Sequence, residues 1–303
     1  MMSLGFSNQN KAYIFAGIAI FFWSTVATAF KLSLEHLEPI QLVFYSTIFS
    51  VLVLFFIVLF QGKLKLIKNF SKHALLKCAF LALLNPCLYY IILFKGYDIL
   101  PAQEAMVINF SWPVMIVILS IPILKQTIDI KSFLSIIVSY IGVVVIASKG
   151  DIFSMQFESP LGVIYILITT VIWALFWLFN TKNSNDTVVS LFLIFLFSLP
   201  YILLIVYFSN SFIIPSIEGF IGSAYIGLFE MGISVVLWQV ALKTSTTVSR
   251  VASLVFITPF LSLLILHFVL KETILTSTII GVILICVGLF LQKYFTKKNS
   301  EVI

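Results

Sequence analysis

The chain has 303 residues, of which 61% are hydrophobic and only 10% charged, against roughly 25% charged in a soluble domain. That excludes an ordinary water-soluble globule, because the apolar content is drawn out into many long runs instead of one core. The formal net charge is +6, but the lysines fall in short connections between apolar runs and form no single basic face with interleaved aromatics, which argues against a nucleic-acid partner.

In chain order the apolar runs cover residues 12–30, 40–60, 73–94, 102–124, 132–148, 161–180, 188–208, 219–242, 247–270 and 274–291. At roughly 20 residues per bilayer crossing, each reads as one helix. The expected fold is therefore an all-α membrane protein of ten transmembrane helices, with no linker long enough to hold a soluble domain. The first run ends at Ala27-Thr28-Ala29, which looks like a signal-peptidase site. Only Lys11 precedes that run, and the symmetry described below needs this helix, so retention is expected.

Orientation follows from the basic residues, because cytoplasmic loops hold an excess of Lys and Arg. With the N-terminus inside, Lys11, Lys63, Lys65, Lys68, Lys72, Lys77, Lys125, Lys131, Lys182, Lys243, Lys293, Lys297 and Lys298 lie on the cytoplasmic side, and Lys31, Lys95, Lys149 and Lys271 outside. A multi-pass protein of the cell membrane with both termini cytoplasmic is expected.

The chain also repeats itself. At an offset of 146, Pro113 pairs with Pro259, Gly142 with Gly288, Lys125-Gln126 with Lys271-Glu272 and Glu104 with Arg250, while Trp23 matches Trp173 at an offset of 150. Five helices per repeat is an odd number, so the second copy enters the membrane from the opposite side. The reading is two inverted five-helix repeats, 1–148 and 149–303, an arrangement that places a substrate site near the midplane where the repeats meet.

These residues resemble the EamA-like branch of the drug/metabolite transporter superfamily. The resemblance is carried by Trp23-Ser24 and Trp173-Ala174, by Leu237-Trp238 through Ala241-Leu242 before a tight turn, and by Pro259 with the ending at Lys271-Glu272. Asn109-Phe110-Ser111-Trp112-Pro113 is similar to the fourth helix of the family's aromatic-amino-acid exporters. Many members have Gly-Glu where this chain has Lys271-Glu272, and small or apolar residues where it has Glu230. The resemblance implies a secondary transporter working by alternating access, with export of a small metabolite such as an amino acid the expected direction; proton coupling is an expectation that rests on Glu230 and not on the resemblance.

Several residues are candidates for that work. Pro113 and Pro259 sit near the middle of their runs, and each is expected to bend its helix, either as a hinge beside a central cavity or as tolerated curvature. Glu230 is the acidic residue near the middle of a run, where an ionised side chain costs about 2.5–3.5 kcal/mol. It needs a partner or a proton, so it reads as the proton-coupling group, with a buried structural glutamate as the alternative. The repeat sets Asn85 opposite Glu230 at an offset of 145, and Tyr89 follows on the same helix face. With Asn109, Trp112, Trp23 and Trp173 they form the expected substrate-binding set, although tryptophans of this kind also serve as packing residues. Arg250, the sole arginine, either grips an anionic substrate group with its planar fork or snorkels to the interface.

No catalytic, metal or cofactor site is expected. Cys78, Cys87 and Cys286 suit neither a disulfide framework nor zinc, His36, His73 and His267 share no ligand spacing, and Asp98, Asp129, Asp151 and Asp186 fall in connections. The expected partners are a small-molecule substrate and the lipid bilayer. The competing readings are an intramembrane enzyme acting on a lipid-linked substrate, which calls for clustered carboxylates or histidines, and a passive channel, which calls for rings of one residue type along a pore.

Overall fold

A computed structural model describes residues 8–124, 130–151, 159–181, 185–245, 251 and 254–300 of the chain. Every regular element among them is helical. In order they are α1 (Asn8–Leu34), α2 (Pro39–Phe60), α3 (Lys72–Ile99), α4 (Ala102–Ile123), α5 (Ile130–Ala147), α6 (Pro160–Thr181), α7 (Thr187–Phe208), α8 (Ile217–Thr244), α9 (Leu254–Leu270) and α10 (Thr276–Ser300). Seven of these, α1–α4 and α6–α8, are long and apolar enough to cross a membrane, whereas α5, α9 and α10 carry the shorter apolar stretches Phe133–Ala147, Leu254–Leu270 and Thr276–Leu291. Bulky side chains in the middle of helices, such as Phe21 of α1 and Leu52 of α2, stand 58% and 48% exposed on the outside, which hydrocarbon tolerates and water does not.

Four helices are interrupted. In α3 the backbone at Asn85 leaves helical geometry (φ −143°, ψ 124°) inside a wide-turn segment, Leu83–Leu88. In α4 helical geometry stops at Asn109 and restarts at Trp112. The middle of α8, Ile226–Ile233, is a π-helix, and α9 opens with a 3-10 turn, Leu254–Ile257, before its α-helical part Thr258–Leu270. Of the two prolines expected to bend continuous helices, Pro113 follows the α4 break, and Pro259 follows the change from 3-10 to α-helical turns in α9. Pro113 and Pro259 are the second residues of the helical stretches that begin at Trp112 and Thr258. The first four N–H groups of a helix have no partner within it, so the missing donor costs no bond there.

Packing interleaves distant parts of the chain: α1 lies on α8 and α9, α6 lies on α3 and α4, α2 lies on α7 and α8, and α5 lies along α10. The last pair is the most intimate. A Cβ added at Gly142 would stand 2.6 Å from the Gly281 carbonyl oxygen, and one at Gly288 would stand 2.6 Å from that of Ser135. Ser139 adds a hydrogen bond from its Oγ to the Ile285 carbonyl at 3.3 Å. Small residues thus bring two backbones into direct contact, which in lipid is a main source of helix association.

The connection ahead of α7 is tied by Asp186. Its Oδ1 accepts from the N–H groups of Val188 and Val189 at the start of α7 (3.0 and 3.2 Å), and its Oδ2 pairs with Lys63 Nζ at 2.9 Å. Burial acts to raise the pKa of this carboxyl, but the Lys63 and backbone contacts outweigh it and hold the group below the usual carboxylate range.

Two outcomes follow from this packing. Gly142→Val should cost about 1–3 kcal/mol of stability through overpacking, measured as unfolding of the detergent-solubilised protein. A depressed native pKa contributes stability above the unfolded value of about 3.9 and loses it as pH falls through the native value. Asp186→Ala should therefore be less stable than the parent by about 1 kcal/mol at neutral pH, with the difference shrinking as pH drops below about 4.

Candidate functional site

Helices α3, α4, α8 and α9 converge, together with unbroken α1 and α6, on a cavity of about 120 Å³. Its wall is largely aromatic. Trp173 of α6 packs on Tyr89 of α3 with ring centroids 4.6 Å apart and on Trp112 of α4 at 6.4 Å, and Trp23 of α1 closes another side against Trp238 at 5.4 Å. Aromatic faces with a few placed polar groups are the usual makeup of a small-molecule pocket.

The polar groups form two sets. Asn109, the last residue before the α4 break, donates from Nδ2 to Thr169 Oγ1 at 3.0 Å and accepts at Oδ1 from the Tyr89 hydroxyl at 3.4 Å. Asn109 thus closes the first helical stretch of α4 and lines the chamber. On the other side, Glu230 lies within the π-helical part of α8 and accepts at Oε1 from the Tyr90 hydroxyl at 3.1 Å. Thr258 and Ser262 of α9 also line the cavity, and both hydroxyls are buried without a protein partner.

Six of the residues singled out from the sequence, Trp23, Tyr89, Asn109, Trp112, Trp173 and Glu230, share this one cavity. Asn85 is buried in the α3 break, its Oδ1 lacking a hydrogen-bond partner, and lies outside the cavity lining. Pro113 borders a second chamber and Pro259 is buried beside Thr258, while Arg250 lies outside the described residues. Tyr90, Thr258 and Ser262 were not anticipated. Tyr90 adjoins Tyr89, and Thr258 and Ser262 flank Pro259 one turn apart, so an aromatic pair and a Thr-Pro step in apolar runs were the available signals.

The second chamber, about 350 Å³, shares Trp23, Trp112, Trp173 and Val255 with the first and continues past Trp177 and Trp238 to Leu242, toward the end where α8 finishes. The opposite end is drawn together by charged groups set on helix termini. Glu272, just beyond α9, accepts from the N–H groups of Ala102 and Gln103 at the start of α4, at 2.9 and 3.1 Å. Lys31 of α1 donates to the carbonyls of Tyr97 and Leu100 at the end of α3, at 2.7 and 2.9 Å. Lys149 pairs with Glu104 at 3.7 Å.

The model of the EamA-like transporter family matches the chain twice, over residues 10–148 and 160–292. An uncharacterized transporter of Archaeoglobus fulgidus is 26% identical over 290 residues, covering 93% of this chain and 98% of that one. An uncharacterized transporter of Clostridium kluyveri is 24% identical over 302 residues, covering 97% and 96%. A solved crystal structure shares the fold with a TM-score of 0.65 at 18% identity, over 96% of this chain and 99% of that one. The chain belongs to the EamA-like transporter family and is a multi-pass membrane transporter of that type.

Proposed function

We propose that the protein is a secondary carrier that exports a small metabolite, such as an amino acid, across the cell membrane by alternating access, with Glu230 as the proton-coupling group. The observation that carries this reading is the cavity itself: one carboxyl and an Asn–Thr–Tyr network set into an aromatic wall where four interrupted helices meet. A carrier needs a site that can be shared between two arrangements of the same helices, and helix breaks give the segments on either side freedom to move separately. A carrier is favoured over an intramembrane enzyme because the described cavity lining holds a single carboxyl and no histidine.

The ten helices are read as two inverted repeats, 1–148 and 149–303. Support comes from the double family match and from the reciprocal packing, in which α1 lies against α8 and α9 as α6 lies against α3 and α4. The irregular turns ahead of Pro113 and Pro259 also fall at matching places. By the lysine distribution both termini are cytoplasmic. Arg250, which lies outside the described residues, is proposed from its chemistry alone as a group whose planar fork suits an anionic substrate group.

Single cysteines placed at 62–71 should react with an impermeant maleimide only from the cytoplasmic side, and those at 209–218 only from outside; the reverse pattern would overturn the topology. For the mechanism, the purified protein in liposomes is to be assayed with radiolabelled amino acids, one at a time, after a thermal-stabilisation screen has identified a binder. Glu230→Gln should abolish accumulation driven by a pH gradient while keeping substrate-induced stabilisation. Accumulation equal to that of the parent would make Glu230 a structural residue.

A further inference from the structure

We infer that Glu272 is a gating residue for transport: its carboxylate is the latch that keeps the cavity closed at the end carrying Lys31, Lys149 and Lys271, and release of its two bonds to α4 opens the site there. The inference rests on the alternating-access reading above.

Lys271 ends α9 in left-handed geometry (φ 55°), and that turn delivers the next side chain to a neighbouring helix. Each Glu272 oxygen takes a separate backbone N–H of α4. A helix start offers unpaired donors and a partial positive charge, so a carboxylate is held there more strongly than a neutral acceptor. The Gln103 side chain doubles the clamp, donating to the Thr273 carbonyl at 2.9 Å and accepting from Thr278 Oγ1 at 3.2 Å.

The clamped segment, Ala102–Asn109, is a short rigid rod. One end is held by Glu272, and the other is separated from the rest of α4 by the break at Phe110 and Ser111. Along it sit Met106 and Asn109, both in the cavity wall. Tilting this rod about its break therefore changes the wall of the site and the closure above it in one movement. Lys31 secures the adjoining corner from the other side with the opposite charge, at the carbonyl end of α3. The repeat makes the two ends unequal in sequence: the counterpart of Glu272 at an offset of 146 is Gln126, an amide with one acceptor oxygen and no charge.

The test uses the full-length protein in liposomes, with Cys78, Cys87 and Cys286 replaced by serine and a reporter thiol introduced by Met106→Cys. An impermeant maleimide is added from either side. In the parent background the thiol should react from the side opposite Lys31. Glu272→Gln should raise labelling from the Lys31 side by about tenfold and lower it from the other, as expected for loss of a charge-assisted bond. Gln103→Ala, which leaves the carboxylate in place, should move both rates the same way by less. If both Glu272→Gln and Gln103→Ala stay monodisperse and label as the parent does, or label faster from both sides, the latch is refuted while the carrier reading stands. Should the parent itself label equally from both sides, the alternating-access reading fails first. If Glu272→Gln does not fold, Gln103→Ala alone decides in the same terms.

Discussion

A peptide group in hydrocarbon has no water to turn to, so each backbone N–H and C=O must be paired within the protein. Most of this chain obeys in the simplest way, as uninterrupted helix. Where it departs, the departure is answered locally. The α4 break is bridged by Ser111, whose N–H and Oγ both reach the Ile108 carbonyl at 3.1 and 2.8 Å. The prolines that follow the irregular turns withhold donors only where a helix start has no use for them. The interruptions lie in α3, α4, α8 and α9, and each of these helices contributes to the cavity lining. In α4, α8 and α9 the irregular stretches supply lining residues themselves, Phe110, Glu230 and Val255, so there the relaxed backbone borders a chamber.

The cavity divides its labour between faces and poles. Trp173 makes ring contacts with Tyr89, Trp112, Phe176 and Trp177, so moving it disturbs helices α3 and α4 as well as its own. The few polar groups in the wall are held in place by neighbours: Asn109 by Thr169 and Tyr89, Glu230 by Tyr90.

What could be read from the sequence was what periodicity and solvent dictate. Apolar runs located most of the described helices to within a few residues, though α10 continues to Ser300 beyond the expected end at 291, and the isolated acidic residue in mid-run, Glu230, pointed to a cavity position. Repeat arithmetic brought out Pro113 and Pro259 but not the form of the interruption, because an offset aligns residues without saying whether a helix bends or stops. Asn85 was misplaced for a related reason. Once α3 loses helical geometry at that residue, the side-chain direction no longer follows the turn-by-turn count that put Asn85 on the face of Tyr89. The partnership of Glu272 with Ala102 and Gln103 joins residues 169–170 apart in sequence through backbone atoms, which leave no mark in the identity of the residues that donate them.

The glycine seam between α5 and α10 has a mechanical consequence. Its two helices come from the middle and the end of the sequence and touch backbone to backbone at Gly142, Gly281 and Gly288. Such a contact resists sliding, since shifting either helix along the other would drive Cβ atoms of the flanking residues into carbonyl oxygens. The seam thus fixes α5 and α10 in one register, and mechanically the pair behaves as one thick rod instead of two thin ones.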